Sequence, residues 1–232
     1  MKRFSIFLLF LIVGCALNAQ DDYRNYVLSR TMLNGTGTSY LDNITYYDGL
    51  GRPFQTVEKA VQSGLPVNKN LATLQEYDAA GREWNSWLPV FAGSSDYLAP
   101  ASIKSSAPGN YDNDSRPYSQ PVYKASPLNR LTAQYGPGAA WYNAERPVKT
   151  EYLLNTNASP LKCIKYGVSS TGGLTGNSTT FYTSGELSVV KTTDEDLNVS
   201  YSFTDKQGRT VLTRQMNNSE EHDTYYIYNL SL

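Results

Sequence analysis

The chain has 232 residues with 20 Lys and Arg against 21 Asp and Glu, a formal charge of -1. That balance supplies no basic field for a phosphate backbone, which counts against nucleic-acid binding. With 18% charged residues and 19 Tyr, the composition favours pleated, half-buried strands over a helical bundle or a doubly wound α/β enzyme.

The N-terminus reads as an export signal. Lys2 and Arg3 precede a largely apolar run over residues 4–13, too short to span a bilayer as a mature helix. Two cleavage sites compete. Leu17, Asn18 and Ala19 before Gln20 suit an ordinary signal peptidase, giving a signal over residues 1–19. Ile12, Val13, Gly14 and Cys15 resemble a lipobox, which makes Cys15 a candidate lipidation site and a lipid anchor the one expected tie to a membrane. On either reading the protein is exported, secreted or held at the cell surface. Cys163 then remains as the single unlipidated thiol, so no disulfide forms within the mature chain.

In the mature chain one short pattern recurs. Asp48, Gly51 and Arg52 form the first copy, and Asp78, Gly81 and Arg82 the second. Asp205, Gly208 and Arg209 form another, and Ser126, Asn129 and Arg130 keep the same offsets with changed residues. Each copy obeys the chemistry of one turn. Asp or Ser at the first position accepts backbone N–H bonds. Pro127 suits the second position of a type I turn. Gly or Asn at the fourth position tolerates the positive φ of a one-residue bulge. The flanks alternate as strands do, with Val199, Tyr201 and Phe203 set against Ser200, Ser202 and Thr204. The pattern predicts antiparallel hairpins. The Arg after the Gly starts the return strand, where it can lie over a neighbouring Tyr ring, pair with an acid across the strands, or simply stand solvated at the strand edge.

The expected organisation is all-β, with antiparallel hairpins in a sandwich-like or shell-like sheet and long Pro-, Gly- and Ser-rich loops. Residues 20–90 form an N-terminal β region with two such hairpins. Residues 91–120 form a loop-rich connector. Residues 121–232 form a second β region whose last unit is incomplete, because Tyr228 and Asn229 open a unit that places Leu232 where Gly is due.

These residues resemble the YD repeats of the RHS family, whose units read roughly Tyr-Asp-x-x-Gly-Arg. Tyr47, Asp48, Gly51 and Arg52 match, as do Tyr77, Asp78, Gly81 and Arg82; Thr204 replaces the Tyr before Asp205. The export signal followed by this first unit resembles the N-terminal region of exported RHS proteins from Bacteroidota. The resemblance implies β-repeat arrays that wrap into a hollow shell and often lead to a toxin or effector. This chain carries no such C-terminal core and reads as a truncated piece; a stand-alone protein whose last strand pairs elsewhere is the alternative. The partner expected from the resemblance is a set of downstream repeats, or another protein, at the incomplete C-terminal sheet edge.

Little in the sequence suggests catalysis. His222 is the single histidine, and counting excludes a multi-His metal site. Asp194, Glu195 and Asp196, and likewise Asp112 and Asp114, carry oxygen donors but lack the pattern of a calcium loop. Gly172, Gly173 and Gly176 lack the Lys and Ser/Thr of a phosphate loop and read as a hairpin tip. The expectation is a structural or interaction module without enzymatic activity or cofactor. The alternative is a carbohydrate- or surface-binding β-domain using Trp84, Trp141 and exposed Tyr. Trp84 and Trp87 stand three apart, so in a strand they point to opposite faces and one belongs to the core.

Overall fold

The structure is a computed structural model and describes residues 24–59, 70–93 and 95–229. In chain order its elements are β1 (Asn25–Met32), β2 (Tyr40–Tyr47), β3 (Pro53–Glu58), β4 (Asn70–Tyr77), β5 (Glu83–Gly93), α1 (Pro100–Asn110), β6 (Tyr118–Tyr123) and β7 (Leu131–Tyr135). They continue with α2 (Ala139–Asn143), β8 (Val148–Leu154), β9 (Gly167–Val168), β10 (Leu174–Thr175), β11 (Ser188–Thr193), β12 (Val199–Thr204), β13 (Thr210–Asn217) and β14 (Glu220–Tyr225). Of the described residues, strands make up 47% and helices 8%.

The fold is all-β. Among the described residues one antiparallel sheet holds twelve strands, in the order β1 to β8 followed by β11 to β14. Each strand pairs with its successor. The exception is the β9–β10 hairpin, which lies in an excursion over residues 155–187. The sheet stays open and does not close into a barrel. The second layer expected of a sandwich is supplied instead by α1 and by the excursion. Because the strands alternate in direction, the turns after β2, β4, β6 and β12 all fall on the same rim.

The period-2 pattern decides which face is buried. In β2, Asp42, Ile44 and Tyr46 are buried; in β4, Asn70, Ala72 and Leu74. Ile44, Tyr46, Ala72 and Leu74 join Val57, Val90 and Ala92 in the first core. The roof of this core is α1. Its Ile103 and Ala107 stand one helical turn apart and are both fully buried. Full burial of a side chain the size of Ile103 stabilises by about 1.5–3 kcal/mol, and the Ala107 methyl adds about 0.8 kcal/mol. Three buried polar groups tie down the segment before the helix. Gln55 donates to the Leu98 carbonyl at 2.6 Å and accepts from the Leu98 N–H at 3.1 Å. The Tyr46 hydroxyl donates to the Asp96 carbonyl at 2.8 Å, and Asn70 to the Ser95 carbonyl at 3.1 Å.

The stretch 91–120, expected as a loop-rich connector, therefore contains the end of β5 and a packed helix. Pro100 sits in the first turn of α1, where its missing N–H costs nothing. Tertiary burial of Ile103 and Ala107 overrides the weak helix propensity of the Ser, Gly and Pro residues around them.

The second core gathers Val189, Tyr201, Phe203, Val211 and Leu212 beneath Cys163 and Leu187 of the excursion. Asn155 is fully buried. It donates to the Thr183 carbonyl at 2.9 Å and accepts from the Leu187 N–H at 2.8 Å. Arg214, 3% exposed, donates twice to Asp223 at 2.7 Å and once to the Pro160 carbonyl at 2.7 Å, which fastens the excursion to β13 and β14. Cys163 is buried, in an irregular segment of the excursion.

Among the described residues no helix is long and apolar enough to cross a membrane. The expected signal over residues 1–19, with Cys15, and the final residues 230–232 lie outside the described residues.

Candidate functional site

The recurring turns share one geometry. At the first, the Asp48 N–H donates to the Arg52 carbonyl at 2.9 Å and the Gly51 N–H to the Asp48 carbonyl at 3.0 Å. One carboxylate oxygen of Asp48 accepts the Leu50 and Arg52 N–H groups, both at 2.9 Å. The other accepts the Arg52 side chain, at 2.8 Å from Nε and 2.7 Å from Nη2. Asp78 does the same for the Ala80 and Arg82 N–H groups and the Arg82 guanidinium. Asp205 does so for Gln207 and Arg209. Gly51, Gly81 and Gly208 take φ of 76°, 80° and 80°. Only glycine enters that region freely. Gly81 has a second constraint, because a Cβ there would come within 3.1 Å of the Arg52 guanidinium.

These bonds favour the charged carboxylate. Hydrogen bonds from the Arg52 backbone and side chain hold Asp48 below the usual carboxylate range. The Arg82 side chain does the same for Asp78, followed by its backbone N–H. Burial pushes Asp205 up, but the bonds from Arg209 outweigh it and the net shift is downward.

Each Arg reaches forward as well. The Arg52 guanidinium stacks over Tyr77, 4.3 Å from the ring centre, and Arg82 over Tyr123 at 4.4 Å. Arg130 lies over Tyr152 at 4.9 Å and Arg209 over Tyr228 at 5.1 Å. Arg52, Arg82 and Arg209 therefore grip their own turns with one edge and a tyrosine farther along the chain with the face, whereas Arg130 makes the stack alone. The Tyr77 hydroxyl donates to the Pro53 carbonyl at 2.7 Å, and the Tyr228 hydroxyl to the Thr210 carbonyl at 2.9 Å. Pro53 and Thr210 occupy the same place, directly after the Arg.

The degenerate copy keeps the turn and loses the cap. Asn129 takes φ 49°, and its N–H donates to the Ser126 carbonyl at 3.4 Å. The strands close through the Lys124 N–H and the Arg130 carbonyl, so the loop is longer. The Ser126 hydroxyl is buried without a partner and does not accept the backbone bonds expected of it. Serine has one oxygen on a shorter stem, so it cannot serve a turn N–H and the Arg together.

Two turns of the same kind escaped the sequence pattern. Asp194 accepts the Asp196 and Asn198 N–H groups at 3.0 and 2.8 Å and the Asn198 amide at 2.9 Å, while Leu197 takes φ 69°. The Asn198 amide and backbone lower the Asp194 pKa. The acidic run considered as a calcium turn is thus a hairpin turn, with Leu in the glycine position and Asn in the arginine position. Ser169 caps the β9–β10 tip, accepting the Gly173 N–H at 3.0 Å, and Gly172 takes φ 82°.

The other candidates fall into structural roles. Asp114 accepts N–H bonds from Arg116 at 2.6 Å and Ala139 at 3.0 Å, joining the connector to α2. His222 and Glu220 stand 3.9 Å apart, both well exposed. Among the described residues no group of three or more His, Cys, Asp or Glu converges into a metal site. Trp87 packs against the first core and donates to Glu76 at 2.9 Å, whereas Trp84 is 37% exposed, so the pair divides as its spacing requires. Trp141 is 49% exposed.

No curated protein matches the chain. Residues 20–154, more than half of it, match the family described as Domain of unknown function (DUF6443). The match begins just before β1 and ends with the last residue of β8, so it takes in the first core and the turns at Asp48, Asp78 and Ser126. The chain belongs to the DUF6443 family.

Proposed function

We propose that this protein is a structural segment of an exported RHS/YD-type β-repeat array and carries no catalytic activity of its own. Its work is to set the register of one hairpin unit upon the next and to offer its C-terminal edge to further repeats or a protein partner. The observation that carries the reading is the placement of Tyr228. It meets Arg209 and the Thr210 carbonyl as Tyr77 meets Arg52 and the Pro53 carbonyl. Tyr228 thus takes the position of the tyrosine that opens a unit. In a repeat array, stability is a sum of unit terms and nearest-neighbour terms, and the Arg–Tyr stack is such a neighbour term.

A double-mutant cycle on Arg82 and Tyr123, read by urea unfolding, tests the array reading. A coupling of about 0.5–1 kcal/mol is expected; zero coupling means the units ignore one another and removes the proposal. Export is tested separately by mass spectrometry of the protein made in a Gram-negative host. An N-terminus at Gln20, or a lipid-bearing Cys15, supports it, and an uncut cytoplasmic chain defeats it.

A further inference from the structure

We propose that the sheet face turned away from α1 carries a glycan groove, in which a neutral oligosaccharide lies across β3 to β7 with Trp84 as its aromatic platform. Two adjoining cavities of 360 and 260 Å³ lie on this face and share Gln75, Glu83 and Ser86. The register sets Thr56 opposite Thr73, and Gln75 opposite Ser86, which is opposite Ser119. Directly paired residues stand on one face, so hydroxyl and amide side chains form a band across successive strands. Trp84 flanks the band, and the buried Pro121 floors the larger cavity.

The lining selects the ligand class. Among the described residues Glu83 is the single charged residue lining the two cavities. Arg52 and Arg82, stacked on the lining rings of Tyr77 and Tyr123, are already held by Asp48 and Asp78, so the groove offers no uncommitted cation to a phosphate, sulfate or nucleic-acid chain. Backbone N–H and C=O groups in mid-sheet are spent on the ladder, so a peptide cannot add here as a strand. A sugar needs neither. Its C–H face packs on an indole, and its hydroxyls bond to Gln, Ser, Thr and carboxylate side chains. Strands lie roughly 4.8 Å apart, close to the length of one pyranose ring, so each strand meets about one sugar unit. A larger cavity of 510 Å³ beside the Asp205 turn is a weaker candidate, because its Lys165 and Glu186, and its Arg209 and Asp205, are already paired with each other.

This inference stands apart from the array reading. The test is calorimetric titration of the intact protein with cellohexaose, xylohexaose, mannohexaose and N-acetylchitohexaose. Saturable binding of at least one, with a change in tryptophan emission, is expected. Trp84→Ala should weaken it by about tenfold or more. Ser86→Arg, which fills the shared part of the groove from an exposed position, should abolish it with the circular dichroism unchanged. Trp141→Ala should leave it as it was. The proposal is overturned if none of the four sugars binds at millimolar concentration. It is equally overturned if binding survives Ser86→Arg, or if Trp141→Ala removes it.

Discussion

Arg52 lies with its guanidinium 4.3 Å from the centre of the Tyr77 ring, and Tyr77 is the residue that opens the next turn. The same Arg52 is held at 2.7 Å by the carboxylate of its own turn, Asp48. One side chain therefore belongs to two consecutive units, which is how a local turn motif comes to carry long-range order.

Arg52→Lys should keep the ion pair and lose the stack. Lysine is a compact point charge without a planar face or a fork of donors. The expected loss is about 0.5–1 kcal/mol in urea unfolding. An unchanged midpoint would show that the stack contributes nothing.

Leu197→Gly should stabilise the protein. Leu197 holds φ 69° and is 61% exposed, so a side chain in the left-handed region is strained and little burial is lost on its removal. After the backbone entropy cost of glycine, the expected gain is about 1 kcal/mol, seen as a higher Tm. Gly81→Ala should do the opposite, by about 1–2 kcal/mol, because its turn is left-handed and Arg52 lies against it.

Acid should unfold the turns together. Asp48, Asp78, Asp194 and Asp205 all have carboxyls held below their ordinary value by hydrogen bonds. The unfolded chain then binds more protons than the native one in the acid range, so stability rises with pH there. The contribution is complete above the unfolded value of about 3.9 and is lost as pH falls through the lower folded values. Urea midpoints should be flat near neutrality and drop below about pH 4, and Asp78→Asn should flatten that drop.

Cys163 should resist a disulfide-exchange reagent at pH 8. Burial pushes its thiol up to about 12, so the reactive thiolate is scarce. One equivalent should react only when urea unfolds the second core. Rapid labelling of the native protein would contradict the packing described.

Arg214→Leu should cost about 3–5 kcal/mol. The change strands the carboxylates of Asp223 and Glu221, which stand 2.7 and 3.0 Å from the guanidinium, and frees the Pro160 carbonyl. Limited proteolysis should then cut first within residues 155–187, whose tie to β13 is gone.

The hairpins were legible because their chemistry is local. Asp, Gly and Arg at fixed offsets specify a turn, and alternation around Val199, Tyr201 and Phe203 specifies the buried face. The turn at Asp194 was hidden because Leu197 carries no sign of a left-handed backbone. The one available signal was the Asp194–Asn198 spacing, which matches that from Asp48 to Arg52. The helix α1 was hidden because its cause is tertiary: Ile103 and Ala107 are helical since they meet the sheet, among Ser, Pro and Gly residues that argue for a loop. The Trp84 groove was half legible. The sequence named the indole, but the band of Thr73, Gln75, Ser86 and Ser119 exists only once the register sets separate strands side by side.

The alternation of strand direction gives the two rims of the sheet different freedoms. The rim with the Asp48, Asp78 and Asp205 turns is laced by tyrosines, and a change of length there breaks a stitch. The other rim carries the Asn34 loop, α2, the Asp194 turn and the connector that leads into α1, whose Ile103 and Ala107 pack on the first core. Foreign loops grafted at Gly35 or beside α2 should be tolerated without disturbing the lacing. New contacts could be built on that hem while the seam opposite keeps its stitches.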